Sequence, residues 1–157
     1  MKILICGLPG SGKSTLAEPF CKLINGVWLN ADKVRTLYDD WDFTPEGRMR
    51  QAQRMRHLAD GVVMAGRIAV ADFVCPTSTA RAAFAADYTV FMDTLETSKS
   101  TKPAAPGTTF ADTDRMFETV QNCNYHVASW FKDTHAELSK VVNNYMLAQQ
   151  GKPTERL

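Results

Sequence analysis

Short apolar runs alternate with stretches of helical spacing along almost the whole chain. Runs at Lys2–Cys6, Val27–Leu29, Arg67–Ala71, Tyr88–Met92 and Tyr125–Ala128 read as strands. Between them the spacing predicts helices over Lys13–Ile24, Ala31–Tyr38, Pro45–Ala65 and Thr77–Ala85, with a last one over Trp130–Gln149. The third helix starts well: Thr44 can cap it, and Pro45 suits the first helical position, where its missing N–H costs nothing. Met55, Leu58, Ala59, Val62 and Val63 give it a buried stripe, and Phe131, Leu138, Val141, Val142 and Tyr145 do the same for the last helix. Strand–helix alternation of this kind predicts an α/β fold, a five-stranded, mostly parallel sheet with helices on both faces. No internal repeat or linker interrupts it, so residues 1–157 read as a single domain.

One stretch breaks the pattern. From Thr94 to Thr109 the chain is mostly Ser, Thr, Pro and Ala, with almost nothing to bury. A loop this long in a compact domain is either a surface insertion or a functional lid. The candidate lid extends to residue 116. The tail Gly151–Leu157 is expected to fray.

Composition narrows the classes of function. The chain has 157 residues, 45% of them hydrophobic and 22% charged, a globular profile. A net charge of +1 advertises no broad basic surface, so no nucleic-acid partner is expected. No apolar run reaches the ~18 residues that a membrane span needs, and Ile3–Cys6 is too short for a signal peptide. The four cysteines, Cys6, Cys21, Cys75 and Cys123, are scattered without metal-ligand spacing. A reduced, cytoplasmic protein is the expectation.

The strongest chemical signal is Gly7-Leu8-Pro9-Gly10-Ser11-Gly12-Lys13-Ser14-Thr15, which fits the P-loop pattern GxxxxGK[ST]. Gly7, Gly10 and Gly12 let the backbone turn tightly, so that N–H groups along Ser11 to Thr15 aim at phosphate oxygens. The following helix adds its positive N-terminal end. Lys13 supplies a point charge to the β- and γ-phosphates, and the Ser14 hydroxyl can ligate Mg²⁺. ATP and Mg²⁺ are therefore the expected ligands. No NKxD-type guanine-reading motif is found, and the small size favours a small-molecule kinase.

The second strand runs into Asn30-Ala31-Asp32-Lys33-Val34-Arg35. Ligands bind at the carboxyl ends of strands in such sheets. Asp32 can orient an acceptor hydroxyl or hold Mg²⁺, and Arg35 can grip an anion; an N-cap with an ordinary i,i+3 ion pair explains the same spacing. Arg48 sits in the first turn of the third helix, where a cation gains nothing from the helix dipole, so an anionic ligand would explain it. Arg50, Arg54 and His57 share one helical face, consistent with a solvated stripe. Asp72 ends an apolar strand, as an acid that positions Mg²⁺ does, or as a cap for the next turn.

The order of these motifs resembles the adenylylsulfate (APS) kinase family. It runs P-loop, D-x-x-R after the second strand, D-F-T-P-E-G-R opening a long helix, then F-V-C-P-x-x-x-x-R. The similarity covers residues 1 to about 118 and is greatest to a shortened bacterial and phage branch. It implies a P-loop kinase fold and ATP-dependent transfer to the 3′-hydroxyl of APS. It also implies that Arg35 and Arg48 bind the acceptor's phosphosulfate, and that Phe43 and Phe110 sandwich its adenine. Gln51, Val74 and Cys75 fall on further acceptor-site positions, and Arg81 matches an arginine of the following helix. The family's D-G-D is Asn30-Ala31-Asp32 here, its I-S-P serine is Cys75, and its basic lid motif is replaced by the Ser/Thr/Pro-rich loop. Lys99, Lys102 and Arg115 are the remaining lid cations, with Arg115 expected to act on the transition state. The resemblance allows a homodimer without requiring one. Two other readings stay open: a kinase of another nucleoside, nucleotide or small hydroxyl acceptor, and a nucleotide-binding regulator that has lost transfer.

Overall fold

A computed structural model describes residues 1–99, 104 and 107–151. Lys102 and the tail 152–157, both named above, lie outside the described residues. The chain alternates β1 (Lys2–Gly7), α1 (Lys13–Ile24), β2 (Val27–Asn30), α2 (Ala31–Tyr38) and α3 (Pro45–Met64). It continues with β3 (Ala69–Asp72), α4 (Ser78–Phe84), β4 (Tyr88–Met92), α5 (Phe110–Met116), β5 (Tyr125–Val127) and α6 (Thr134–Gln150). The five strands form one sheet in the order β2-β3-β1-β4-β5, every neighbouring pair parallel.

Side chains alternate across a strand, so the apolar run Ile3–Cys6 in the central strand feeds both faces of the sheet. Ile3 and Ile5 pack with Leu16 and Phe20 of α1 and with Leu138 and Val142 of α6. Leu4 and Cys6 pack on the other face with Ala52, Met55 and Ala59 of α3 and with Ala80 and Phe84 of α4. All four strand residues are essentially fully buried. The sheet thus anchors β1 rigidly, and its carboxyl end delivers the glycine-rich turn.

The structure corrects the expected elements in four places. The last helix starts at Thr134 rather than Trp130, because the Thr134 hydroxyl closes a turn on Phe131, accepting from its N–H (3.0 Å) and donating to its C=O (2.9 Å). Phe131 and Val141 are exposed and do not join the buried stripe. β3 starts at Ala69 rather than Arg67, whose N–H is taken by the Val62 carbonyl at the end of α3. A further helix, α5, follows the Ser/Thr/Pro-rich stretch. Thr109 accepts from the Asp112 N–H while the Asp112 carboxylate accepts from the Thr109 N–H, a reciprocal cap that satisfies two otherwise orphan donors.

Candidate active site

Gly7–Thr15 links β1 to α1, the context the P-loop motif requires. Gly10 (φ +83°) and Gly12 (φ +101°) occupy the left-handed region, which is strained for residues with a Cβ. An added Cβ at Gly10 would fall 1.0 Å from the carbonyl oxygen of Lys99. That segment lies on the loop: the Lys99 N–H donates to the Pro9 carbonyl (2.8 Å), and the Thr94 hydroxyl donates to the Ser11 carbonyl (2.8 Å). The Ser11 hydroxyl is buried without a partner among the described residues, the kind of orphan that a ligand oxygen would satisfy. Lys13 is buried and its Nζ donates to the Leu8 carbonyl at 3.0 Å. Burial pulls its pKa down, opposed by the nearby Asp72 charge.

The Asp72 carboxylate is buried at the end of β3. Its Oδ2 accepts from the Trp28 indole (2.9 Å), the Asn30 amide (3.0 Å) and the Ser14 hydroxyl (3.3 Å). Burial pushes the carboxyl pKa up, while the Asn30 and Trp28 hydrogen bonds and the Lys13 charge pull it back. No group of three His, Cys, Asp or Glu side chains able to hold a metal occurs among the described residues. Ser14 and Asp72 are hard oxygen donors side by side, and they fit magnesium, which typically takes one or two protein oxygens and draws the rest from phosphates and water. Asp32, the other metal candidate, is exposed at the start of α2, and among the described residues its carboxylate forms no hydrogen bond.

Arg35 and Arg48 are brought together. Both are buried, and neither forms an ion pair among the described residues. Arg35 donates to the carbonyls of Asp40 (2.9 Å) and Asp42 (3.2 Å), and its guanidinium lies 4.2 Å from the Phe43 ring centre. Arg48 donates to the Phe43 carbonyl (3.2 Å) and the Thr113 hydroxyl (2.8 Å), and lies 5.2 Å from the same ring. Burial lowers both guanidinium pKa values, that of Arg35 to about 10. The acids nearby are spent elsewhere: Asp40 takes Arg50 (2.8 Å) and Arg54 (2.7 Å), and Asp42 takes Arg50 (3.1 Å). Arg50 and Arg54 are therefore partners of one carboxylate rather than only a solvated stripe.

The other expected acceptor residues are dispersed. Gln51 is buried, donating to the Ala31 carbonyl (3.1 Å) and accepting from Arg54 (2.7 Å), so its amide joins α2 to α3. Val74 is half-buried. Cys75 is buried with φ +46°, and burial pushes its thiol well above the usual value, so it is a protonated packing group at neutral pH. Arg81 donates to the carbonyls of Cys75 (3.0 Å) and Glu118 (2.8 Å), clamping the turn after β3. Phe110 is half-buried at the start of α5. Arg115 is exposed and paired with Asp112. A polar cavity of about 540 Å³ opens elsewhere, beside Ser78, Arg81 and Glu118, and no P-loop residue lines it.

Sequence reasoning missed Trp28, Asp40, Thr113 and the main chain of Lys99. Trp28 was legible in part, since it lies two residues before Asn30 and so on the same face of its strand. The pair Thr109–Asp112 has capping-box spacing. Nothing local marks Thr113 as the partner of an arginine 65 positions away.

The family model for adenylylsulphate kinase matches residues 1–101. No curated protein matches the chain. The APS kinase of Mycobacterium tuberculosis in complex with AMPPNP and APS is similar in structure, with TM-score 0.70 and 17% identity over 90% of this chain and 96% of that one. A gluconokinase from Sinorhizobium meliloti gives TM-score 0.63 and 14% identity, covering 96% and 97% of the two chains. The shikimate kinase of Aquifex aeolicus gives 0.62 and 14%, covering 94% and 99%. At such identities the structural likeness establishes the fold, that of the P-loop kinases. With P-loop and family match together over the first two-thirds of its length, the chain belongs to the adenylylsulphate kinase family.

Proposed function

We propose that the protein transfers the γ-phosphoryl group of ATP to the 3′-hydroxyl of adenylylsulfate. The observation that carries this reading is the pair of buried guanidiniums, Arg35 and Arg48, without an ion-pair partner among the described residues. A buried charge without a counter-ion is costly, and an anionic ligand would compensate it. The neighbouring Phe43 ring, with Phe110 at the start of α5, offers aromatic surface for a purine.

The turn Gly7–Thr15 binds the ATP phosphates, with Lys13 neutralising the β- and γ-oxygens. Ser14 and Asp72 would hold the magnesium ion, which screens charge on the transferring group when bound. Arg35 and Arg48 fix the acceptor's phosphosulfate. Asp32 orients the 3′-hydroxyl and takes its proton. The acceptor oxygen bonds to the γ-phosphorus as the bond to the β–γ bridging oxygen breaks, and ADP leaves. Such a transfer asks the protein mainly for in-line positioning and charge neutralisation. Residues 94–116 act as the lid, with Arg115 turning from Asp112 toward the transferring group. The whole chain works as one domain; no helix among the described residues is long and apolar enough to cross a bilayer.

One observation favours a second reading, a kinase of another anionic hydroxyl compound: Phe43 already engages two guanidiniums, so anion recognition here does not depend on a purine. Measuring ADP release with APS and with a panel of phosphorylated nucleosides and sugars separates the two. Turnover restricted to APS supports the first reading, and turnover with a non-purine acceptor alone replaces it with the second.

A further inference from the structure

β2 and β3 pair in parallel with Asn30 opposite Asp72 and Trp28 opposite Val70. Trp28 and Asn30 are two residues apart, so both share the face of Asp72. The consequence is a convergence of donors on one atom: the Trp28 indole, the Asn30 amide and the Ser14 hydroxyl all donate to Asp72 Oδ2. Among the described residues none donates to Oδ1.

The orientation of the Asn30 amide is fixed from its other end. Asn30 Oδ1 accepts from the Lys33 N–H (3.1 Å), capping α2, so the amide nitrogen must face Asp72. An aspartate at position 30 would cap the helix equally well. It has no proton to donate at neutral pH, and would set two carboxylates in register. Trp28 is steadied too, with the Lys33 ammonium 5.3 Å from its ring centre. Side chains on one strand and one helix thus fix the rotation of a single carboxylate on the neighbouring strand.

Building on the kinase reading above, we propose that Trp28 and Asn30 are positioning residues for magnesium: they hold Asp72 Oδ2 toward the protein and keep Oδ1 for the ion or a water bound to it. Partners of this kind orient ligating groups and set metal affinity.

The test measures Mn²⁺ binding to the full-length protein–ADP complex by electron paramagnetic resonance, beside ADP affinity in EDTA by calorimetry. Trp28→Phe keeps an aromatic ring and loses the donor; Asn30→Ser keeps the helix cap and loses the amide. Each is expected to weaken Mn²⁺ about 10-fold with metal-free ADP affinity unchanged, and Asp72→Asn to weaken Mn²⁺ about 100-fold. Mn²⁺ affinity at the wild-type level in both Trp28→Phe and Asn30→Ser overturns the proposal. Should Asp72→Asn fail to fold, the first two variants decide. No acceptor enters these measurements, so failure of the APS assay and failure of this inference are read separately.

Discussion

Among the described residues Lys13 makes one side-chain hydrogen bond, to a carbonyl of its own loop, and it forms no ion pair, so chemistry and folding can be separated at this residue. Lys13→Ala is expected to cut ATP turnover by about 10³-fold or more while circular dichroism stays unchanged, because one preorganised charge at the transferring phosphate is lost. Arg35 and Arg48 behave differently. Each alanine variant is expected to raise the acceptor KM far more than that of ATP, by a charge-assisted contact of about 1.5–3 kcal/mol. Arg35→Ala also strands the carbonyls of Asp40 and Asp42, so its Tm falls as well, a loss that thermal unfolding would show. Equal damage to ATP binding would move both arginines to the donor side. The P-loop residues were legible in the sequence because nine consecutive positions carry their geometry. The Arg48–Thr113 contact was not, since it forms only when the chain folds back on itself.

Helix α5 carries two residues with opposite expected effects. Phe110→Ala is expected to raise the KM for APS with kcat little changed, as loss of a stacking face should. Arg115→Ala is expected to lower kcat about 10- to 100-fold with KM preserved, as loss of a contact made mainly in the transition state does. Steady-state kinetics with APS reads both; an unchanged KM in Phe110→Ala removes the adenine sandwich. The helix escaped sequence analysis because Thr113 alone among its residues is buried, leaving no apolar stripe to read. The long helix α3 was legible for the opposite reason, with Thr44, Pro45 and the buried Met55 and Ala59 in agreement. Its basic face has a job that its spacing did not reveal. Arg50 and Arg54 hold the Asp40 carboxyl well below the usual carboxylate range. A depressed folded pKa adds stability that is present above the unfolded value of about 3.9 and lost as pH falls toward the folded one. Asp40→Asn is therefore expected to lose about 1–2 kcal/mol at pH 7, a deficit that shrinks in denaturant titrations repeated below about pH 4.

For the molecule as a whole, the architecture was legible because strands buried on both faces write themselves as continuous apolar runs, Ile3–Cys6 above all. Strand order was not, since the sequence of a strand carries little about which neighbour it meets. That order decides the site: only because β2 lies beside β3 do Asn30 and Asp72 face each other. The contact between Lys99 and the glycine loop has a different kind of consequence. The bond to Pro9 and the close approach to Gly10 both use main-chain atoms of Lys99, which every residue except proline supplies alike. The side chain at position 99 is therefore free to change, whereas the number of residues between it and Thr94, whose hydroxyl holds the Ser11 carbonyl, is not. Lys99→Ala is expected to keep the slow amide hydrogen exchange of position 99, and one residue inserted after Leu95 to abolish it. At position 99 the register of the chain therefore matters before the identity of the side chain.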